Sequence, residues 1–503
     1  MHKIIKSLFT VFLCLILLAG CGKNPTETPT GTGSNSVNVT DESVIPEIRP
    51  TGNTALLYDG QKSDCDELAE KKRQEILNTK DELSSSGVTY YVSPDGNDSN
   101  DGKSPEKAWK TTNALNTNSW AFMAGDTVLF ERGGIYRTSS AIFVKSGMNY
   151  GAYGEGDKPV LYGSAKNYAQ PGLWKPSKKE NVWKMDFSLE DVGIIVFDHG
   201  KEVGTKKTGL MTLTKNGDFY HNTEDRVLYL YFDKGRPNQV YNDIEIGVKR
   251  AIFSLTAGIS NVVIDNICMK YAGTFGVQCI GNNDGVTVQN CEIGWIGGST
   301  LSGSSRYGNA VQFWDSCKDS NITNNWIYQI YDTGITFQGS VGSIYDNIRY
   351  TDNLIEYTAY ALEFFIQGDE YISKADGSIN NIYFENNILR FTGYGWTKQR
   401  FNVSDVGAIV AWTHVYEDMD NFNIKNNIFD CTARNFVYWQ WDDTHKQGGV
   451  NISGNSFYQK ANDAKEGMRY ADKGIISITD QKSLEEAIKV FDKSPKEVKW
   501  IDY

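Results

Sequence analysis

Two carboxylates differ from the other acidic residues of this chain in their sequence surroundings. Glu363 lies in the segment YALEFF, and Asp332 lies in IYDTGIT. Apolar neighbours raise the pKa of a carboxyl group, and an acid that keeps its proton near neutral pH can act as a general acid. Each residue also has an ordinary structural interpretation, with Asp332 as a turn cap and Glu363 as a surface acid. Which interpretation holds depends on the elements that position them.

A six-residue pattern (apolar, any, Asn, any, any, apolar) recurs seven times in the second half of the chain. Its third position reads Asn266, Asn290, Asn324, Asp352, Asn386, Asn426 and Gly454. These residue types tolerate a left-handed backbone or form hydrogen bonds within their own turn. A fixed turn residue between short apolar strands predicts stacked coils of parallel strands, with asparagine side chains bonded along the stack.

A second strand follows each turn, and its alternation predicts which side chains point outward. One outward column contains Gln278, Gln312, Thr336, Glu363 and Val410. Two residues further along, a second column contains Ile280, Trp314, Gln338, Phe365 and Trp412, with Trp439 in the equivalent place on the next coil. Asp332 is expected in a neighbouring column with Thr274, Gly298, Tyr360, Tyr394 and Arg434.

Inserted loops are expected to form the walls of a cleft beside these columns. They would bring Arg306, Tyr307, Trp396, Lys398, Arg400 and His414 close to it. An aromatic column beside polar groups can bind a ligand with apolar faces, although long loops could instead bury these rings. We therefore predict catalytic roles for Glu363 and Asp332. The predicted substrate-binding residues are Gln312, Trp314, Tyr360, Phe365, Arg400, Trp412, His414, Arg434 and Trp439.

The remaining segments have their own patterns. Residues 64–89 contain a helix expected to cap the stack, residues 90–170 form the first coils, and residues 171–250 read as an antiparallel β insertion. The main coil with the asparagine pattern covers residues 251–460, and residues 461–503 are expected to cap its end. The fold class is all-β.

The N-terminus resembles that of an exported bacterial lipoprotein. Basic residues precede an apolar run, which ends in Leu18-Ala19-Gly20-Cys21, similar to a lipobox. The resemblance implies removal of residues 1–20, lipid on Cys21, a flexible tether over residues 21–63, and a location at the bacterial cell surface. A soluble secreted protein is the alternative.

Charge and composition bear on partners. The net charge of −12 argues against nucleic acid as a partner. Asp95, Asp98 and Asp101 could suggest calcium, but their spacing favours a plain polar turn, and we predict no metal or other cofactor. We expect a monomer held at the membrane through its N-terminal lipid.

The segment from Tyr90 to Thr111, together with Gly125 to Phe130 and Gly151 to Gly154, resembles the opening coils of right-handed parallel β-helix proteins of the pectin-lyase-like superfamily. The resemblance implies action on a polysaccharide or oligosaccharide. It transfers no catalytic residue, because the catalytic motifs of the best-known members are absent. A glycoside hydrolase using Glu363 and Asp332 is the leading hypothesis, since a carboxylate pair is its minimum requirement. The alternatives are a polysaccharide lyase, with Lys398, Arg400 or Arg434 as base, and a non-catalytic glycan-binding protein.

Overall fold

The computed structural model describes residues 61–80, 83–367, 377–400, 406–412, 418–440, 449–460, 467–470 and 473–501. Over these residues the chain forms a parallel β-helix whose coils each pass through three faces. Face 1 is a ten-stranded sheet, and faces 2 and 3 belong to one eighteen-stranded sheet. Within the described residues no helix is long and apolar enough to cross a membrane.

Seven of the ten strands of face 1 lead directly into a turn of the asparagine pattern. The ten strands are Thr89–Val92, Thr127–Glu131, Asn149–Tyr153, Val262–Asp265, Val286–Gln289, Cys317–Thr323, Ile344–Thr351, Ser378–Glu385, Asp418–Lys425 and Val450–Ser453.

Face 2 follows the turn, and face 3 follows face 2. The strands Trp326–Ser340 and Leu354–Gln367 run through both faces. The other strands of face 2 are Ile135–Arg137, Val160–Tyr162, Cys268–Lys270, Glu292–Ile296, Ile388–Thr392, Ile428–Thr432, Ser456–Lys460 and Glu497–Ile501. Those of face 3 are Ile142–Phe143, Phe253–Leu255, Val277–Ile280, Val311–Trp314, Gly407–Ala411, Asn435–Trp439 and Met468–Tyr470, with Ile475–Ile476 antiparallel at its edge.

The turn between faces 1 and 2 has the backbone that the repeat predicts. All seven third positions are left-handed, with φ from 53° at Asn290 to 71° at Gly454. The long ladder of hydrogen-bonded amides, however, lies one residue later than predicted. Asn325, Asn353, Asn387, Asn427 and Asn455 are fully buried.

Each amide in this buried ladder bonds in the same way. The Asn353 side-chain NH2 donates to Asn387 Oδ1 at 3.0 Å and to the Ile322 carbonyl at 2.8 Å. Asn455 ends the series by donating to Asp492 Oδ2 at 2.8 Å. The ladder therefore satisfies backbone and side-chain polar groups that burial would otherwise leave unpaired.

The insertion forms two small sheets beside face 2. The larger contains Lys175–Pro176, Val182–Asp186, Thr205–Lys206, Asp218–Asn222 and Val227–Tyr231, and the smaller contains Val192–Phe197, Glu202–Val203 and Ile244–Val248. All their strand pairs are antiparallel except that of Thr205–Lys206 with Asp218–Asn222. Arg137 on face 2 holds Glu245 of the insertion through two hydrogen bonds of 2.8 and 2.7 Å.

The helix Asp66–Leu77 lies against the side of the coils, whereas the sequence suggested that it covers their end. Its Arg73 donates to the fully buried Glu356 at 2.9 Å, and its Asp66 pairs with Arg390. These ion pairs explain the position, because the face 2 charges beneath the helix need partners in order to be buried.

Other segments close the two ends of the stack. The helix Thr112–Thr117 places Leu115 in the core, and Phe122 packs 5.0 Å from Tyr90 of the first strand. At the other end, the helix Gln481–Phe491 buries Leu484, Ile488 and Phe491. The remaining helices are Pro237–Val240 and the short 3₁₀ segments Pro105–Lys107, Ser119–Ala121, Asp198–Gly200, Leu210–Thr212 and Gly395–Gln399.

Candidate functional site

The strand pairing of face 3 reproduces the predicted outward column residue by residue. Gln278 pairs with Gln312, Gln312 with Thr336, Thr336 with Glu363, and Glu363 with Val410. The second column likewise aligns Ile280, Trp314, Gln338 and Phe365. Glu363 therefore lies between a hydroxyl and an apolar residue on adjacent coils.

Glu363 is buried and accepts three hydrogen bonds. The Thr333 hydroxyl donates to Oε2 at 2.8 Å, the Gln338 amide donates to the same oxygen at 2.6 Å, and the Trp412 indole N–H donates to Oε1 at 2.6 Å. Burial and then the nearby charge of Asp332 raise the pKa of Glu363 from 4.5 to about 7, against the lowering effect of the Trp412 bond. A carboxyl group with this pKa holds its proton for part of the time at neutral pH, as a general acid must.

Asp332 lies at the turn that leads into face 3, and it forms an ion pair with Arg400. Arg400 Nε donates to Asp332 Oδ1 at 3.1 Å, while its guanidinium lies 4.7 Å from the centre of the Tyr360 ring. The loop that carries Arg400 is fixed by the segment Gly395–Gln399, whose Trp396 indole donates to the Gln329 carbonyl at 2.8 Å. Arg400 thus joins Asp332 and Tyr360, although the predicted column was off by one residue here, because the buried Tyr360 pairs with Thr333.

The aromatic residues form two groups around Glu363. Trp412 meets Tyr360 edge-on at 6.2 Å, and it packs at 5.5 Å against Tyr438. On the other side, the half-buried rings of Trp314 and Phe365 meet edge-on at 6.2 Å. Tyr360 and Tyr438 are buried, whereas Trp314, Phe365 and Trp412 each keep an accessible part.

Trp439 does not belong to this surface, so its prediction as a binding residue is wrong. It pairs with Ala411 and is fully buried inside the coil, 5.5 Å from Phe364. The predicted register was off by one residue. Tyr438, which pairs with Val410, is the residue that continues the Glu363 column.

The other predicted binding residues have different positions. Gln312 is buried in the column, where its Oε1 accepts a 2.7 Å bond from the Asn309 amide. Arg434 is half-buried in the turn before the strand Asn435–Trp439. His414 lies outside the described residues, as does Cys21.

Sequence reasoning missed three residues that contact or extend this site. Thr333 and Gln338 bond directly to Glu363, and Tyr438 forms part of its aromatic surroundings. Gln338 was visible in the second column, but alternation alone does not reveal which outward side chains touch one another.

Two acidic groups outside the site have structural contacts. Glu292 is buried in face 2. It bonds to Lys270 at 2.7 Å and to the Tyr328 hydroxyl at 2.7 Å. Asp98 holds its turn by accepting bonds from the Lys110 and Thr111 amides, both at 2.8 Å. Across the described ranges, no group of three or more His, Cys, Asp or Glu residues is arranged to hold a metal ion.

No protein-family model and no curated protein sequence matches the chain. Solved structures to which it is similar include a complex of XylC with xylose, at 13% identity over 82% of this chain and 83% of that chain, with a TM-score of 0.44. A lacto-N-biosidase of family GH136 from Eubacterium ramulus is 13% identical over 87% and 70% of the two chains, with a TM-score of 0.37. A family 28 exopolygalacturonase from Yersinia enterocolitica is 13% identical over 76% and 66%, with a TM-score of 0.38. Because all three TM-scores lie below 0.5, these likenesses carry no argument about this chain, and its parallel β-helix is established by its own strand pairing.

Proposed function

We propose that this chain is a glycoside hydrolase in which Glu363 is the general acid and Asp332 is the second carboxylate. The observation that carries the proposal is the buried Glu363 carboxyl, whose pKa is raised to about 7 by burial and by Asp332. Cleavage of a glycosidic bond requires an acid that protonates the departing oxygen and a carboxylate that acts on the sugar or on water. The two residues fit this division because their surroundings differ.

The surroundings of each carboxylate support its role. Glu363 has no described ion-pair partner, and the charge of Asp332 favours its protonated form. Asp332 has the Arg400 guanidinium at 3.1 Å, which suits a carboxylate that remains charged. The accessible rings of Trp314, Phe365 and Trp412 offer apolar surfaces on which sugar rings can pack.

Arg400 bears on the lyase alternative. A lyase needs a base that abstracts a proton, and an arginine paired with a carboxylate holds its proton more tightly. Arg400 has such a pairing with Asp332 and also lies over the Tyr360 ring. This arrangement favours a structural and electrostatic role for Arg400 and argues against Arg400 as the base of a lyase.

We also propose that the enzyme acts at the bacterial surface, held in the membrane by lipid on Cys21 and acting on an external polysaccharide or oligosaccharide. The lipobox-like Leu18-Ala19-Gly20-Cys21 and the polar tether that follows it support this location.

The test uses the mature chain with a panel of plant and microbial polysaccharides. New reducing ends without absorbance from unsaturated uronates would support hydrolysis, whereas equal growth of both signals would indicate a lyase. We expect both Glu363→Gln and Asp332→Asn to lose turnover while keeping substrate binding. The exposed Glu180 provides a matched control as Glu180→Gln. Unchanged turnover in both site variants would reject the assignment, and binding without turnover in the wild type would indicate a non-catalytic protein.

A further inference from the structure

The column that contains Glu363 continues well beyond the carboxylate pair. From Glu363 it passes through Thr336, Gln312, Gln278 and Ser254 and ends at Phe143. Parallel strands lie about 4.8 Å apart, so five steps place Phe143 roughly 24 Å from Glu363. All the side chains between the two ends are uncharged amides or hydroxyls.

Exposure increases along this column in one direction. Thr336 and Gln312 are buried beside Glu363, Gln278 and Ser254 are half-buried, and Phe143 is 54% exposed. The side chains of the column are therefore enclosed near Glu363 and become exposed toward the first coils. A ligand lying along this column would meet its most accessible part at Phe143.

Two side chains of this column bear on ligand binding. The Thr336 hydroxyl is fully buried next to Glu363 and has no hydrogen-bond partner among the described residues. Phe143 is an exposed ring whose backbone is held in place, because its N–H donates to Asn116 Oδ1 at 3.0 Å. Ile280, in the adjacent column, adds an exposed apolar side chain along the way.

We propose that this strip binds an extended neutral glycan chain, with Phe143 as a distal platform on which a sugar ring stacks. The inference rests on the proposed function of Glu363, and it adds the substrate class and a second contact point. Uncharged amides and hydroxyls both donate and accept hydrogen bonds, so they suit sugar hydroxyls. A uronate chain would instead require cations, and no side chain of this strip carries one.

The experiment measures binding to the Glu363→Gln variant of the full mature chain, so that turnover does not consume the ligand. Neutral oligosaccharides from disaccharide to octasaccharide are compared with oligogalacturonides of the same lengths by calorimetry. We expect affinity to rise with length for a neutral series. The additional Phe143→Ala change should weaken the longest ligands about five- to tenfold and leave the shortest unaffected. Met211→Ala, which truncates another exposed apolar side chain in the insertion, is the control.

The possible outcomes separate this inference from the proposed function. If binding is independent of length, unaffected by Phe143→Ala or confined to oligogalacturonides, the strip is refuted, while Glu363-dependent turnover can still stand. If no glycan binds and the wild type shows no turnover on the polysaccharide panel, both proposals fall. Retained thermal stability of the Phe143→Ala variant confirms that lost affinity does not come from misfolding.

Discussion

The indole of Trp412 provides a direct test of how the pKa of Glu363 is set. Its N–H donates to Glu363 Oε1 at 2.6 Å, and this bond lowers a pKa that burial and Asp332 raise. Trp412→Phe removes the donor and keeps an aromatic ring beside Tyr360 and Tyr438. The charged carboxylate then loses stabilisation, so the pKa of Glu363 must rise further.

The size of this rise follows from the bond. A hydrogen bond to a charged group contributes about 1.5–3 kcal/mol. One pKa unit corresponds to about 1.4 kcal/mol, so the pKa should rise by about one to two units. Because a general acid must be protonated, the alkaline limb of the pH–rate profile should move to higher pH by the same amount.

Two measurements check this expectation. The first is kcat/KM against pH on whichever glycan the enzyme cleaves. The second needs no substrate, and follows the protonated-carboxyl band by infrared difference spectroscopy between each protein and its Glu363→Gln counterpart. Trp314→Phe is the matched control, because the Trp314 ring packs against Phe365 in the neighbouring column. An alkaline limb that stays in place or moves to lower pH in Trp412→Phe would refute the electrostatic reasoning.

Three further expectations concern stability and anchoring. Because the pKa of Glu363 rises from 4.5 to about 7 on folding, the folded protein binds more protons than the unfolded one between those values, and stability falls as pH rises. Glu363→Gln should remove about 3 kcal/mol of this loss. The free energy of unfolding of the variant relative to the wild type, measured in urea, should therefore be higher at pH 8 than at pH 5. Equal differences at the two pH values would contradict this expectation. Asn387→Ala leaves the buried Asn353 amide without its acceptor, and this should lower the free energy of unfolding by about 1–3 kcal/mol per unpaired group. Chemical denaturation should show a much smaller loss for the control Asn451→Ala, because Asn451 is exposed. Cys21→Ala should abolish incorporation of a fatty-acid label in growing cells, and labelling that persists would reject the lipid anchor.

The coil could be predicted because its information is local and repeated. The left-handed turn at Asn386 follows from residue type, and the outward position of Glu363 follows from strand alternation. Errors arise where a register depends on the length of an inserted turn. One residue of displacement places Trp439 inside the coil and Tyr438 outside it.

Contacts between coils could not be predicted from the sequence in the same way. The bonds from Thr333, Gln338 and Trp412 to Glu363 join segments that only the complete stack brings together. The same is true of Arg73 and Glu356, which decide that the first helix covers a side of the coil. No pattern within either segment identifies the other.

The buried amide ladder also has a consequence for how such a protein can change length. Each asparagine offers the same donors to one neighbour and the same acceptor to the other. Duplication or deletion of a whole coil therefore needs no new hydrogen-bonding chemistry, and the stack can grow or shrink by units. The last coil is different, because its amide requires Asp492 from outside the repeat. Coils in the middle of the stack can therefore be gained or lost during evolution, whereas the last coil depends on Asp492.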